Sequence, residues 1–263
     1  MLEAKLQEAG TLKKLLDAIK ELVTDANFEC NEEGIVLQAM DNSHVALVSV
    51  KFGAPGFKRY RCDRPMPLGV NLTSLTKVLK CAKDDDICTL KAADEADVLN
   101  LVYEAKNSDR IAEYDMKLMD IDADTLTIPE TEYDARVTLP SAEFTRIVRD
   151  LSLLGESVRI EVSKEGVRFA SDGEAANGSV LLRQSEGDGI SSDDDDNSTS
   201  IVIEMNQHVS LTFSLKYLVN FSKSASLSTR VQLMMSNDVP LLVAYDFSQG
   251  YIRYYLAPKI GDD

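Results

Sequence analysis

Histidine occurs only twice, at His44 and His208. A Ser-His-Asp or Cys-His arrangement could be drawn only by arbitrary choice, so nucleophilic catalysis has no constellation to rest on. Cysteine occurs four times, at Cys30, Cys62, Cys81 and Cys88, and never as C-x-x-C. That pattern argues against a disulfide framework, a zinc site or a thioredoxin-like redox pair, and fits reduced thiols in an intracellular protein. No apolar run approaches the roughly 18 residues of a membrane span. The opening Met1-Leu-Glu-Ala-Lys5 has no signal-peptide core. The phosphate-loop, dinucleotide and H-E-x-x-H motifs are all missing. Asp120, Asp122 and Asp124 begin like a calcium loop. Thr125 then stands where such a loop needs glycine, and Thr131 where it needs glutamate, so an acidic solvated linker is expected instead. No metal, cofactor or catalytic residue is expected.

Acid is what the chain has in excess. There are 28 Lys and Arg against 44 Asp and Glu, a net charge of −16. Taken whole, that opposes nonspecific binding to nucleic acid or membranes. The acids are unevenly placed, however. Asp84 to Asp86, Asp193 to Asp196 and Asp262-Asp263 are runs, whereas Asn71–Lys83 and Met205–Asn237 contain no acid. Acids and bases are therefore expected on different surfaces. A hydrolase using a carboxylate pair remains an alternative, although no spacing singles out a pair.

Apolar spacing predicts four helices, over Glu8–Thr24, Asn71–Ala82, Ser141–Leu154 and Thr212–Ser224. Ser141 after Pro140 reads as a helix start. Most of the remainder alternates as strands, with Asn31-Glu-Glu-Gly34 and Lys164-Glu-Gly166 as hairpin turns. Displacing the chain by about 132 residues superposes Leu12, Leu15 and Leu16 on Phe144, Ile147 and Val148, and Gly34 on Gly166. Val48 and Val50 then fall on Val180 and Leu182, and at a longer displacement Leu75 falls on Leu215. The expectation is an α+β protein of two similar domains, 1–117 and 135–263, joined by an acidic linker over 118–134. Gly-, Asp- and Ser-rich Ser185–Ser200 reads as a mobile loop in the second half.

Helical wheels add a further regularity. Lys13 and Lys20 lie within about 20° of each other, and Lys14 about 100° away. Lys77 and Lys80 oppose Leu75 and Leu79; Arg146 and Arg149 oppose Phe144 and Leu151; Lys216 and Lys223 share a face. Exposed lysine on one helix needs only solubility as its reason. Four basic faces in a strongly acidic chain point to a phosphate-facing surface. Aromatic residues do not interleave these bases, so the target is a duplex backbone read without sequence.

At this point the chain resembles the eukaryotic DNA sliding clamps, the proliferating cell nuclear antigens. The resemblance rests on Tyr60-Arg-Cys-Asp-Arg64, Gly69-Val-Asn-Leu-Thr-Ser74 with Lys77 and Lys80, and Glu113-Tyr-Asp-Met-Lys-Leu-Met-Asp-Ile-Asp122. Val148-Arg-Asp-Leu-Ser152 and Tyr254-Tyr-Leu-Ala-Pro-Lys259 extend it over essentially the whole chain. It implies a clamp fold, with two helices per domain packed on curved antiparallel sheets, and a homotrimeric ring around duplex DNA. The function implied is that of a non-enzymatic processivity factor in the nucleus. Implied partners are DNA polymerase delta, the clamp loader, flap endonuclease, DNA ligase and the ubiquitin and SUMO conjugation machinery, with no membrane. A checkpoint-type clamp subunit of a heterotrimer is the nearer alternative.

The resemblance also implies sites. It adds Arg110 to the DNA-facing set, together with a DNA-binding segment from Arg61 to Lys80. A partner-peptide pocket maps onto Met40, His44, Val45, Leu47, Leu126, Ile128, Pro240, Tyr255, Ala257 and Pro258. The subunit interface maps onto Arg110, Tyr114, Met116, Leu151, Leu154, Gly178, Val180 and Leu182, with edge segments Arg110–Lys117 and Ala175–Leu182 pairing between copies. Lys164 is the implied acceptor of ubiquitin or SUMO. Leu153 departs from the basic or polar residue of some relatives.

Overall fold

The computed structural model describes residues 1–95, 97–122, 126–128, 130–185 and 199–260. Most of the Ser185–Ser200 stretch, Asp124 and the final Asp262-Asp263 therefore lie outside the described residues. The chain divides into two compact units, Met1–Thr127 with Phe247–Ile252, and Ile128–Asp246 with Arg253–Asp263.

The first unit contains β1 (Leu2–Leu6), α1 (Ala9–Ile19), β2 (Asp25–Asn31), β3 (Gly34–Met40), β4 (Ala46–Gly53) and β5 (Arg59–Cys62). It continues with β6 (Met66–Asn71), α2 (Leu72–Leu79), β7 (Ile87–Ala92), β8 (Val98–Glu104) and β9 (Ile111–Lys117). Its hydrogen-bonded strand orders are β5-β1-β7-β8-β9 and β4-β3-β2-β6. The second unit contains β10 (Ala135–Pro140), α3 (Ser141–Ser152), β11 (Ser157–Ser163), β12 (Gly166–Asp172) and β13 (Asn177–Leu182). There follow β14 (Val202–Met205), β15 (Val209–Ser214), α4 (Leu215–Ser222), β16 (Arg230–Met235), β17 (Leu241–Phe247) and β18 (Gly250–Leu256), of which Phe247 and Gly250–Ile252 are grouped with the first unit. Its orders are β14-β10-β16-β17-β18 and β13-β12-β11-β15. Element for element these match the first unit, and the strands pair antiparallel in both, as β1 does with β5, β2 with β6, β10 with β16 and β11 with β15. The α+β reading and the internal duplication are thus in the backbone itself.

The helices form because each buries one apolar stripe on its own unit. Leu12, Leu15, Leu16 and Ile19 are buried on α1; Phe144, Ile147, Val148 and Leu151 are their counterparts on α3. Asn71 caps α2 by accepting from the Ser74 N–H at 2.9 Å. At α1 no side chain caps the start; the Ala9 and Gly10 N–H groups instead donate to the Asp86 and Asp84 carbonyls, at 2.8 and 2.9 Å. Both hairpin turns occur as expected, with Asn31 opposite Gly34 and Ser163 opposite Gly166. Gly34 and Gly166 share φ = 142°, and a Cβ there would stand 2.1 Å from the Phe52 carbonyl oxygen or 2.2 Å from that of Leu182. Only glycine fits such a left-handed turn against a neighbouring backbone.

Three expectations need correction. Residues 212–214 belong to strand β15, not to the fourth helix; Phe213 is fully buried opposite Val158, so the period of two wins there. The first helix ends at Ile19 rather than Thr24, and the Leu22 and Val23 N–H groups both donate back to the Ile19 carbonyl at 3.0 Å. The repeat offsets also shift. Leu37 pairs with Val50 as Phe169 pairs with Val180, so Val50 matches Val180 and Phe52 matches Leu182. Likewise α2 and α4 both span 8 residues, so Leu72, not Leu75, matches Leu215. The offset grows because the second unit carries more residues between β13 and β14 than the first carries between β4 and β5.

Candidate nucleic-acid interface and partner-binding residues

Some helix cations are held by acids and others are exposed. Lys13 is only 24% exposed; its ammonium donates to the Ala82 carbonyl at 2.8 Å and pairs with Asp84 at 2.9 Å. It is a buckle between α1 and the turn after α2. The hydrogen bond and charge of Lys13 hold the Asp84 carboxyl below its usual range. Lys20, the C-terminal cap of α1, pairs with Asp17 at 3.2 Å. Lys14, Lys77 and Lys80 are exposed. A crevice of about 20 Å³ between α1 and α2 is lined by Lys13, Leu16, Asp17, Thr76, Leu79 and Lys80. In the second unit, Arg146 stands 3.9 Å from Asp150, and Arg149 and Lys216 are exposed. Lys223 follows α4 in a short 3-10 turn, Lys223–Ser226, and matches Lys80. Of the Arg61–Lys80 segment, Arg61 is held by Asp63 at 2.8 Å. Arg110 is exposed just before β9.

The ten residues that the resemblance assigns to a partner-peptide pocket are spread over both units. Met40 and Leu47 sit on β3 and β4, half-buried; His44 and Val45 are exposed in the turn between those strands; Leu126 is half-buried. In the second unit Ile128, Tyr255 and Pro258 are half-buried, and Pro240 and Ala257 are exposed. None of the ten is buried, so core packing does not explain them. Burial also raises the Tyr133 hydroxyl above its usual range, with Tyr255 beside it contributing. One positioning residue escaped the sequence reading. Asp41 is 4% exposed, and its carboxylate accepts from the backbone N–H of Ser43, Val45 and Ala46 at 3.0, 2.7 and 2.8 Å. That arrangement holds His44 at φ = 58°. The signal was present, since an aspartate opening Asp-Asn-Ser-His between two strands is turn chemistry.

The two strands that the resemblance assigns to subunit pairing end their strand orders, β9 in the first unit and β13 in the second. Tyr114 packs on Tyr103 with ring centroids 5.4 Å apart. Met116 and Leu151 are buried within their own units and can support an edge but not extend beyond it. Gly178 leaves room for Leu154, whose Cδ1 would lie 2.7 Å from a Cβ there. Val180 and Leu182 are half-buried on β13. The sequence reading missed Ile111, 69% exposed on β9, and did not use Leu153, 84% exposed at the end of α3. Ile111 lies on the edge strand itself, and Leu153 adjoins Leu154, which packs against Gly178. Lys164 is exposed in the β11–β12 turn.

An enzymatic reading finds little to use. A basin of about 480 Å³ is walled by Arg64, Pro65 and Pro67 and carries Asp94, Glu95 and Asp120. A hydrogen bond from the Met1 ammonium and one from Arg64 hold Asp94 below its usual range, the wrong direction for a general acid. Burial pushes the Cys30 and Cys88 thiols up to about 12, so neither offers a thiolate near neutral pH. Among the described residues no cluster of three or more His, Cys, Asp or Glu could hold a metal.

Two family models match this chain. The N-terminal domain of proliferating cell nuclear antigen matches residues 1–126, and its C-terminal domain residues 127–260. A protein of Chaetomium thermophilum named proliferating cell nuclear antigen is 59% identical over 264 residues, with 100% of each chain covered. With two duplicated units, basic helix faces and these matches along its length, the chain belongs to the proliferating cell nuclear antigen family.

Proposed function

We infer that this protein is a sliding clamp, a processivity factor that keeps a replicative polymerase on duplex DNA and serves replication and repair. The observation that carries the reading is the match of both family domains along the chain, together with the 59% identical relative. The checkpoint-type heterotrimer and the carboxylate hydrolase have no comparable support.

The finer reading follows from physics. Three copies close a homotrimeric ring, with β9 of one copy pairing with β13 of the next, head to tail. The exposed Ile111 and Leu153 support that edge. Lys14, Lys20, Lys77, Lys80, Arg110, Arg146, Arg149, Lys216 and Lys223 face phosphates, and Lys13 braces them. Screening acts over about 8 Å at physiological salt, so nearby cations prevail locally over a net charge of −16. Affinity stays weak and retention is topological, because a closed ring cannot leave sideways. Backbone contacts carry no sequence information, so the ring slides.

Residues 118–134 act as a connecting linker between domains 1–117 and 135–263. The residues around His44, with the linker and the C-terminal strand, receive the clamp-interacting peptides of polymerase delta, flap endonuclease and ligase. Lys164 accepts ubiquitin or SUMO, and the protein works in the nucleus. Two measurements test the reading. Light scattering should give a mass near three chains, and Tyr114→Pro should give monomers by removing a backbone donor at the edge. A variant with Lys20, Lys77, Arg149 and Lys216 all changed to Ala should load on primed circular DNA and stimulate synthesis less than the parent. Equal loading and stimulation at every salt concentration would reject the basic faces as a DNA surface.

A further inference from the structure

The two units place different residues at the centre of their basic faces. With Leu16 matching Val148, Asp17 on α1 matches Arg149 on α3. Asp17 is exposed, pairs with Lys20 at 3.2 Å, and lines the same crevice as Lys13 and Lys80. It is thus a carboxylate set among cations of two helices. Lys13 pairs with a different acid, Asp84, at 2.9 Å. In the second unit the corresponding position is a cation, Arg149, which is exposed and has no described carboxylate in ion-pair range. Across the helix pair Lys80 at the end of α2 matches Lys223 after α4, whereas Lys77 matches Asn220 and Thr73 matches Lys216.

We propose that Asp17 is an internal phosphate substitute that limits the affinity of the first unit for duplex DNA, leaving the second unit to make the stronger backbone contacts. This rests on the reading that these helices face DNA. The physical step is an exchange of anions. A phosphate approaching Lys20 or Lys80 must displace the carboxylate or be repelled by it, so little net attraction is gained. Fewer counterions are then released, and binding depends less on salt. For a sliding ring this has a use, because each cation that binds phosphate tightly adds drag.

The test uses the full chain and a short fluorescent duplex, titrated over a salt series by anisotropy. Asp17→Asn should bind about two- to threefold more tightly at low salt, the scale of an exposed ion pair. Its affinity should also fall more steeply with salt. Asp17→Arg, which copies the second unit, should exceed it on both counts, and Asp17→Glu should behave like the parent. Lys20→Ala and Lys77→Ala should weaken binding. If those two lysine variants weaken binding while Asp17→Asn and Asp17→Arg change neither affinity nor salt dependence, the role given to Asp17 is overturned and the DNA-facing reading stands. If the lysine variants also bind like the parent, the DNA-facing reading fails and this inference falls with it. Thermal midpoints and solution masses equal to the parent's establish that the Asp17 variants are folded, and Asp17→Glu keeps the comparison open should Asp17→Arg not fold.

Discussion

Between β3 and β4 the first unit builds its turn around the buried Asp41 carboxylate, which collects three backbone N–H groups and presents His44 and Val45 to solvent. The second unit solves the corresponding β12–β13 turn with Gly173. Its N–H donates to the Ala176 carbonyl at 3.0 Å, and a Cβ there would stand 1.8 Å from the Leu154 carbonyl oxygen. One turn offers side chains; the other brings backbone close to the end of α3. The same divergence marks the helices, where Lys13 and Asp84 of the first unit correspond to Thr145 and Leu227 of the second. Thr145 donates its hydroxyl to the Ser141 carbonyl at 3.0 Å and makes no ion pair. Duplication preserves strand order and apolar stripes because the core requires them, while the exposed positions are free to take different tasks.

That comparison can be broken first at the core. Phe144 and Leu12 are counterparts, both buried under their helices. Phe144→Ala should cost about 3–5 kcal/mol and Leu12→Ala about 2–5 kcal/mol. Urea denaturation measures both, and a loss under 1 kcal/mol at either site, on the order of a surface change, would mean that the stripes are not equivalent.

A smaller effect should separate the two turns. Asp41→Ala orphans three N–H groups, costing about 2–4 kcal/mol if only part of the hydrogen bonding is recovered from water. It should also weaken capture of a clamp-interacting peptide in calorimetry, since His44 and Val45 lose their support. Unchanged peptide affinity with lowered stability would confine Asp41 to folding.

Gly34→Ala and Gly166→Ala sharpen the likeness instead. Both residues sit at φ = 142° with a carbonyl oxygen within 2.2 Å of the added carbon. Each should lose about 1–3 kcal/mol, and the two losses should agree. A melting-temperature drop at one site only would show that the hairpins differ in strain.

The smallest effect concerns the Lys13–Asp84 buckle. Its carboxyl is held below the usual range, so its contribution is full above the ordinary aspartate value of about 4 and is lost as pH falls through the depressed one. Asp84 is largely exposed, and screening limits the effect to roughly 0.5 kcal/mol. Asp84→Asn should therefore be slightly less stable than the parent at pH 7 and equal to it in strong acid. A difference that persists at low pH would point to packing rather than charge.

Much of this was legible in residue order. Helix existence, the hairpin glycines and the duplication follow from periods of 3.6 and 2 and from the one residue that tolerates a left-handed turn. The cationic faces follow from the same geometry, because angular position on a helix depends on spacing alone. Less legible was the stretch at Thr212–Ser214. Val209, Leu211 and Phe213 alternate there, yet the residues also continue the helical pattern of Leu215 and Leu218. Pairing with β11 decides that competition, and no local pattern contains it.

What the sequence determined by itself is therefore the set of elements, their apolar sides and the family to which the motifs belong. Tertiary structure decided which charges meet. Lys13 and Asp84 are far apart in the chain and pair only because α1 begins against the turn after α2. Asp17 shares a crevice with Lys80 for the same reason, since α1 packs beside α2. Ile111 and Leu153 likewise become conspicuous only when their strand and helix are placed and no described residue covers them. Spacing fixes a side chain's direction on its own element; whether that direction meets an acid, a cation or solvent depends on the element packed opposite.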